Sequence, residues 1–139
     1  MSAKRVVLLD NEAVQALRDP AHRKHQRVLG EVEVAFKRAV RTQRVRVAVP
    51  SAVRVEAGWD RTSPAWAFAN RFPITDIPLD TGHADAAASI VRRMGVSVAD
   101  AHLGAVIQAA GADRVTVLTS DPGDMRKVAE GRRVDVVAL

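Results

Sequence analysis

The stretch Val6-Val7-Leu8-Leu9-Asp10 decides how this chain reads: four branched apolar residues in a row, ended by a carboxylate. An unbroken apolar run of this length, without alternation, fits a strand buried on both faces, inside a parallel sheet covered by helices. Asp10 then stands at the strand's carboxyl end. In open α/β sheets the ligand crevice lies outside those ends, so the first acid of the chain occupies a position suited to chemistry. Three later segments bring a carboxylate to a comparable place.

Working outward, strand-like and helix-like segments alternate along all 139 residues. Residues 11–18 carry Ala13, Val14 and Leu17 at helical spacing and stop at Asp19-Pro20. An amphipathic helix with a Lys- and Arg-rich outer face is predicted over 26–41, and a strand over 45–49. Pro50-Ser51 opens a helix over 51–59. Residues 59–71 are mixed, with Pro64 near the start of a short helix, and 74–79 fit an edge strand because Pro78 cannot donate to a ladder. Asp80 or Thr81 caps a helix that Gly95 ends. A helix over 97–110, a strand over 115–119, a helix opened by Asp121-Pro122 and a strand over 134–139 complete the chain. This order predicts one α/β domain spanning 1–139, a three-layer α/β/α arrangement around a mainly parallel sheet.

Two helices place an acid where a core residue is expected. The stripe through Ala52 and Val53 continues, three residues on, to Glu56, which predicts an inward-facing carboxylate. That is costly unless the group is paired or binds a cation. Similarly the stripe Leu103, Val106, Ile107, Ala110, continued back one turn, lands on Ala99 and Asp100. Ser97 is the better placed cap there, so capping does not explain Asp100. The strand at 115–119 runs into Asp121, with Asp124 three residues on; capping the last helix accounts for one of these acids and not for both.

Composition narrows the chemistry. No Cys is present, which excludes disulfides, cysteine zinc sites and thiol catalysis. The eight glycines build neither GxGxxG nor a Gly-Lys phosphate loop, and no GxSxG elbow occurs. His22-Arg23-Lys24-His25 has HxxH spacing but no third ligand at helical spacing nearby, so it reads as a solvated basic turn. The only apolar run near the N-terminus is four residues long and nothing approaches membrane-spanning length, so a soluble, cytoplasmic protein without a membrane partner is expected. A balance of 21 Lys+Arg against 16 Asp+Glu, with a sequence pI of about 10.7, favours polyanions, although an Arg-rich composition by itself accounts for it equally. Asp10, Glu56, Asp100, Asp121 and Asp124 remain as candidates. Oxygen ligands without His or Cys suit Mg²⁺ or Mn²⁺, and carboxylates gathered at one edge repel each other unless a cation stands among them. Such a site hydrolyses phosphodiesters, while the basic surface holds the polyanion.

The ordered set VVLLDNEAVQAL, VPSAVRVEAGW, SVADAHLGAVI and VLTSDPGDM resembles the four acidic motifs of the PIN-domain ribonucleases, particularly the VapC toxins of bacterial toxin–antitoxin pairs. The resemblance covers nearly the whole chain. It implies metal-binding, catalytic acids at Asp10, Glu56, Asp100 and Asp121, with Asp124 among the metal-binding positions and Asn11, Thr119 and Ser120 in support. It also implies a PIN-like fold, a metal-dependent endoribonuclease acting on an RNA substrate, a homodimer, and a cognate antitoxin as partner. Two positions depart from the family: Asn11 stands where Ser or Thr often follows the first acid, and Met125 replaces an aromatic as a core residue. His102 lies off the Asp100 face and reads as structural or surface.

Other readings remain open. A phosphotransfer domain also places Asp at strand ends, but would carry a Lys after a late strand where this chain has Asp. A catalytically silent PIN-like module that binds RNA or protein, and a PIN nuclease directed at DNA, are the others.

Overall fold

Val7 and Leu9 point to one side of the first strand, Val6 and Leu8 to the other, and none of the four exceeds 5% exposure. That double burial forces helices onto both faces. The computed structural model describes residues 4–42 and 44–139. Its elements are β1 (Arg5–Leu9), α1 (Asn11–Arg18), α2 (His25–Thr42), β2 (Val45–Pro50), α3 (Ser51–Ala57), a 3-10 turn at Pro64–Trp66, α4 (Ala67–Asn70) and β3 (Thr75–Ile77). There follow α5 (Thr81–Met94), α6 (Val98–Ala109), β4 (Arg114–Thr119), α7 (Pro122–Ala129) and β5 (Asp135–Ala138).

The five strands form one sheet in the order β3-β2-β1-β4-β5, and every neighbouring pair is parallel. The chain leaves β1 toward β2 and β3 on one side and later returns to β4 and β5 on the other. A topological switch point therefore lies between β1 and β4, the place where ligands bind in open sheets. The predicted α/β/α layering is what the chain adopts, and β3 lies at the sheet edge as expected, ending at Ile77 just before Pro78.

Two cores result. On one face Val7, Leu9, Val47 and Val49 pack with Val14 and Leu17 of α1 and with Val28 and Val32 of α2. On the other, Leu8 and Val117 meet Ile90, Leu103, Ile107 and Val128, and Met125 fills a core position there, 2% exposed. At Gly104 an added Cβ would stand 2.9 Å from both the Cβ and the carbonyl oxygen of Val128, so α6 and α7 can approach this closely only without a side chain.

The HxxH turn corrects its reading. His22 is partly exposed, with Nε2 3.1 Å from Glu12, but His25 is buried, 2.7 Å through Nδ1 from the Ala16 carbonyl oxygen. Its ring lies 5.4 Å from that of Phe68. A residue 43 positions further along the chain covers it, so local polarity could not reveal the burial. His25 fastens the start of α2 to α1 and is not half of a metal pair.

Candidate active site

Asp10 ends β1 and caps α1: its Oδ1 accepts the Ala13 amide at 2.9 Å, as a helix start favours. Its Oδ2 accepts the Ser120 amide at 3.3 Å, and the nearby Thr119 hydroxyl favours the ionised form of the same carboxylate. Burial nevertheless raises the Asp10 pKa; these three groups oppose the rise and the charge of Asp100 adds to it. Asp10 is thus a fixed, partly desolvated carboxylate at the switch point.

Thr119 connects the two strand ends. It is fully buried at the end of β4, and its hydroxyl oxygen accepts the Asp121 amide at 2.9 Å while the same hydroxyl favours an ionised Asp10. Asp121 caps α7 by accepting the Asp124 amide at 3.1 Å and is exposed; Asp124 is half-buried. The expectation that capping needs only one of this pair holds.

Asp100 stands in the first turn of α6, capped by Ser97, whose Oγ accepts the Asp100 amide at 3.1 Å. Asp100 is half-buried between Ala99 and Leu103, as its stripe predicts. Its pKa is raised, first by burial and then by the charge of Asp124, with Asp121 adding and the Ser97 hydrogen bond opposing. Four acids from three segments thus come near one another: the charge of Asp100 bears on Asp10, and those of Asp124 and Asp121 bear on Asp100.

Glu56 corrects its prediction. The buried residues of α3 are Val53 and Ala57, a spacing of four, which swings Glu56 off the core face and into solvent. It still reaches this edge, because Asn11 Nδ2 donates to its Oε1 at 3.3 Å. Asn11, in place of a hydroxyl residue, thereby ties α3 to the start of α1. The oxygen of the same amide is buried with no hydrogen-bond partner among the described residues. His102 is structural: fully buried, its Nδ1 accepts the Ala52 amide at 3.3 Å, and burial lowers its pKa, with nearby His83 adding to the effect.

The donor set is all oxygen, includes an acceptor with nothing to accept, and contains two carboxyls pushed up by burial and by neighbouring acids. That chemistry fits a hard divalent cation. Among the described residues, no three such ligands stand close enough together to hold an ion as placed. Exposed Glu56 and Asp121 have room to rotate; Asp10 does not, being held at both oxygens.

No protein-family model matches the sequence, and no curated protein matches it. Among solved structures the chain is similar to one from the crystal structure of VapBC2 from Rickettsia felis bound to a DNA fragment from their promoter. The TM-score is 0.61 at 10% sequence identity, over 95% of this chain and 98% of that one. The all-parallel five-stranded sheet, the helices on both its faces and this likeness over nearly the full length give the chain a PIN-like α/β fold.

Proposed function

We propose that this chain is a Mg²⁺- or Mn²⁺-dependent endoribonuclease, the toxin of a toxin–antitoxin pair, working in the cytoplasm as a homodimer that a cognate antitoxin restrains. The observation that carries the reading is the gathering of Asp10, Asp100, Asp121 and Asp124, from the starts of α1, α6 and α7, beside the switch point of a PIN-like sheet. The likeness to a VapBC2 chain supports the antitoxin partner.

Asp10 and Asp100 would hold the ion, with Asp121, Asp124 and Glu56 completing the set. When bound, the ion supplies an activated water and stabilises the leaving oxygen of a phosphodiester. The chain's own residues orient this set. Thr119 and the Ser120 and Ala13 amides hold Asp10, leaving it no freedom to turn away, and Asn11 steers Glu56 toward the same edge. The helix N-termini of α1, α6 and α7, each with its acid in the cap or first turn, favour the ionised carboxylates that a cation needs.

The silent-module reading rests on one observation, that no three ligands converge as placed. Incubating purified, antitoxin-free protein with mixed RNA and Mn²⁺, with and without EDTA, separates the two. Cleavage that EDTA stops supports the nuclease; RNA that is bound but intact across several RNA classes supports the silent module. Single-stranded and duplex DNA in parallel reactions decide whether DNA is cut.

A further inference from the structure

The opposite end of the sheet carries the opposite charge. Arg5 and Arg114 open β1 and β4 and are register partners on adjacent parallel strands, so their side chains leave the same face, strands about 4.8 Å apart. Lys4 and Arg44 are locked beside them: the Arg5 amide donates to the Arg44 carbonyl at 3.1 Å, and the Arg114 amide to the Lys4 carbonyl at 2.9 Å. These four line a groove of about 420 Å³ together with Thr42 and Asp113. An adjoining depression of about 340 Å³ shares Asp113 and Arg114 and adds Arg133 and Asp135. Five cations thus face two carboxylates.

The local acids do not neutralise this edge. Asp135 pairs with Arg114 at 2.9 Å, but both side chains are about half exposed, and such a pair exchanges readily with water or another anion. Among the described residues no ion pair involves Lys4, Arg5, Arg38 or Arg44. Arg5 is half-buried, its Nε donating to Thr116 Oγ1 at 3.1 Å, and the charges of Arg114 and Arg38 repel it more than Glu31 and Asp135 attract it.

We propose that this amino edge is a binding surface for the phosphate backbone of single-stranded nucleic acid, separate from the carboxylate crevice. Five residue steps at about 3.3 Å put it roughly 16 Å from Asp10 along β1. Four of its five cations are arginines, whose forked donors match phosphate oxygens two at a time. The two depressions share Asp113 and Arg114, so a flexible unpaired strand can bend along both and bring successive phosphates to the cations. That the natural strand is RNA rests on the proposed function; the surface itself does not.

The test is equilibrium binding of a fluorescent 20-nucleotide oligouridine in EDTA, across a salt series. It compares the parent, a Lys4→Gln/Arg44→Gln/Arg114→Gln variant, and an Asp10→Asn/Asp100→Asn variant, each checked by thermal melting. The basic-edge variant should lose about tenfold or more in affinity at low salt, and its plot of log K against log salt should flatten by about 2, or 0.7 for each of three contacts. The crevice variant should keep the parent's slope. A basic-edge variant with the parent's slope and affinity overturns the proposal. So does parent protein that binds phosphatidylserine vesicles through the same three residues and releases the oligonucleotide to them, because the surface then serves a membrane. Since EDTA prevents cleavage, a parent that binds in this way yet never cuts RNA in Mn²⁺ refutes the nuclease and leaves this surface standing.

Discussion

The two ends of the sheet are built from the same strands and yet differ in every electrostatic respect. At the carboxyl end the charged groups are acids held by amides at helix starts: Asp10 accepts two amides, and Asp121 caps α7. At the amino end they are mostly arginines at strand starts, held by little beyond Arg5 to Thr116 and Arg114 to Asp135. Both ends gather like charge, which opposes folding. The difference is that acids titrate within reach and can take up protons or a cation, whereas arginine keeps its charge at every accessible pH. The carboxyl end should therefore answer to metal and pH, and the amino end to salt and polyanions.

Metal sharpens that contrast most. Mg²⁺ at a hundredfold excess over its Kd should stabilise the parent by about 2.7 kcal/mol, read as a rise in melting temperature. Asp100→Asn should remove most of that rise, while Arg114→Gln leaves it intact. An equal response in all three would dissolve the distinction between the ends.

The next effect compares two buried threonines on β4. Thr119→Val leaves the Asp121 amide without its acceptor and removes a hydroxyl that favours the ionised form of a desolvated Asp10, and should cost about 2 kcal/mol in denaturant unfolding. Thr116→Val removes only an acceptor for the partly exposed Arg5, which water can replace, and should cost well under about 1 kcal/mol. If the two cost the same, the carboxyl end is not the more tightly organised.

Acidity gives a smaller effect. Asp10 and Asp100 titrate above the ordinary value of 3.8 when folded, so between that value and the raised ones the folded protein holds more protons than the unfolded chain. Metal-free stability should accordingly gain a contribution as pH falls through that window, and the gain should shrink in Asp10→Asn/Asp100→Asn. His102 acts the other way: its folded value lies below 6.5, so its contribution is present above that pH and is lost as pH falls below it. Melting curves across pH 4–8 for the parent and the double variant isolate the acidic part; identical profiles would remove the proposed repulsion.

Smallest of all is Glu56→Gln. With its side chain exposed and one 3.3 Å hydrogen bond from Asn11, stability should move by about 0.5 kcal/mol or less, while cleavage falls. A larger loss of stability would make Glu56 a structural residue.

Much of this was readable along the chain because the signals were local. The apolar run into Asp10, Ser97 ahead of Asp100, and Asp121-Pro122 before an amphipathic turn each specify an element and its end within a few residues. Glu56 was misplaced because positions three and four ahead on a short helix both fit the apolar stripe, and packing chose Ala57. Thr119 as the bridge between Asp10 and Asp121 needs the pairing of β1 with β4, over a hundred positions apart. The amino edge was illegible for the same reason: Lys4, Arg44 and Arg114 give no periodic signal, and only parallel register sets them side by side.

Cleavage of end-labelled RNA in Mn²⁺ by the parent and by Asp100→Asn tests the central claim most directly, since Asp100 interacts with most of the acids at the crevice and is replaced by a residue of equal size. The account predicts that the parent cuts, that EDTA stops it, and that the folded variant leaves the RNA intact. A folded Asp100→Asn protein that cuts at the parent's rate would contradict it.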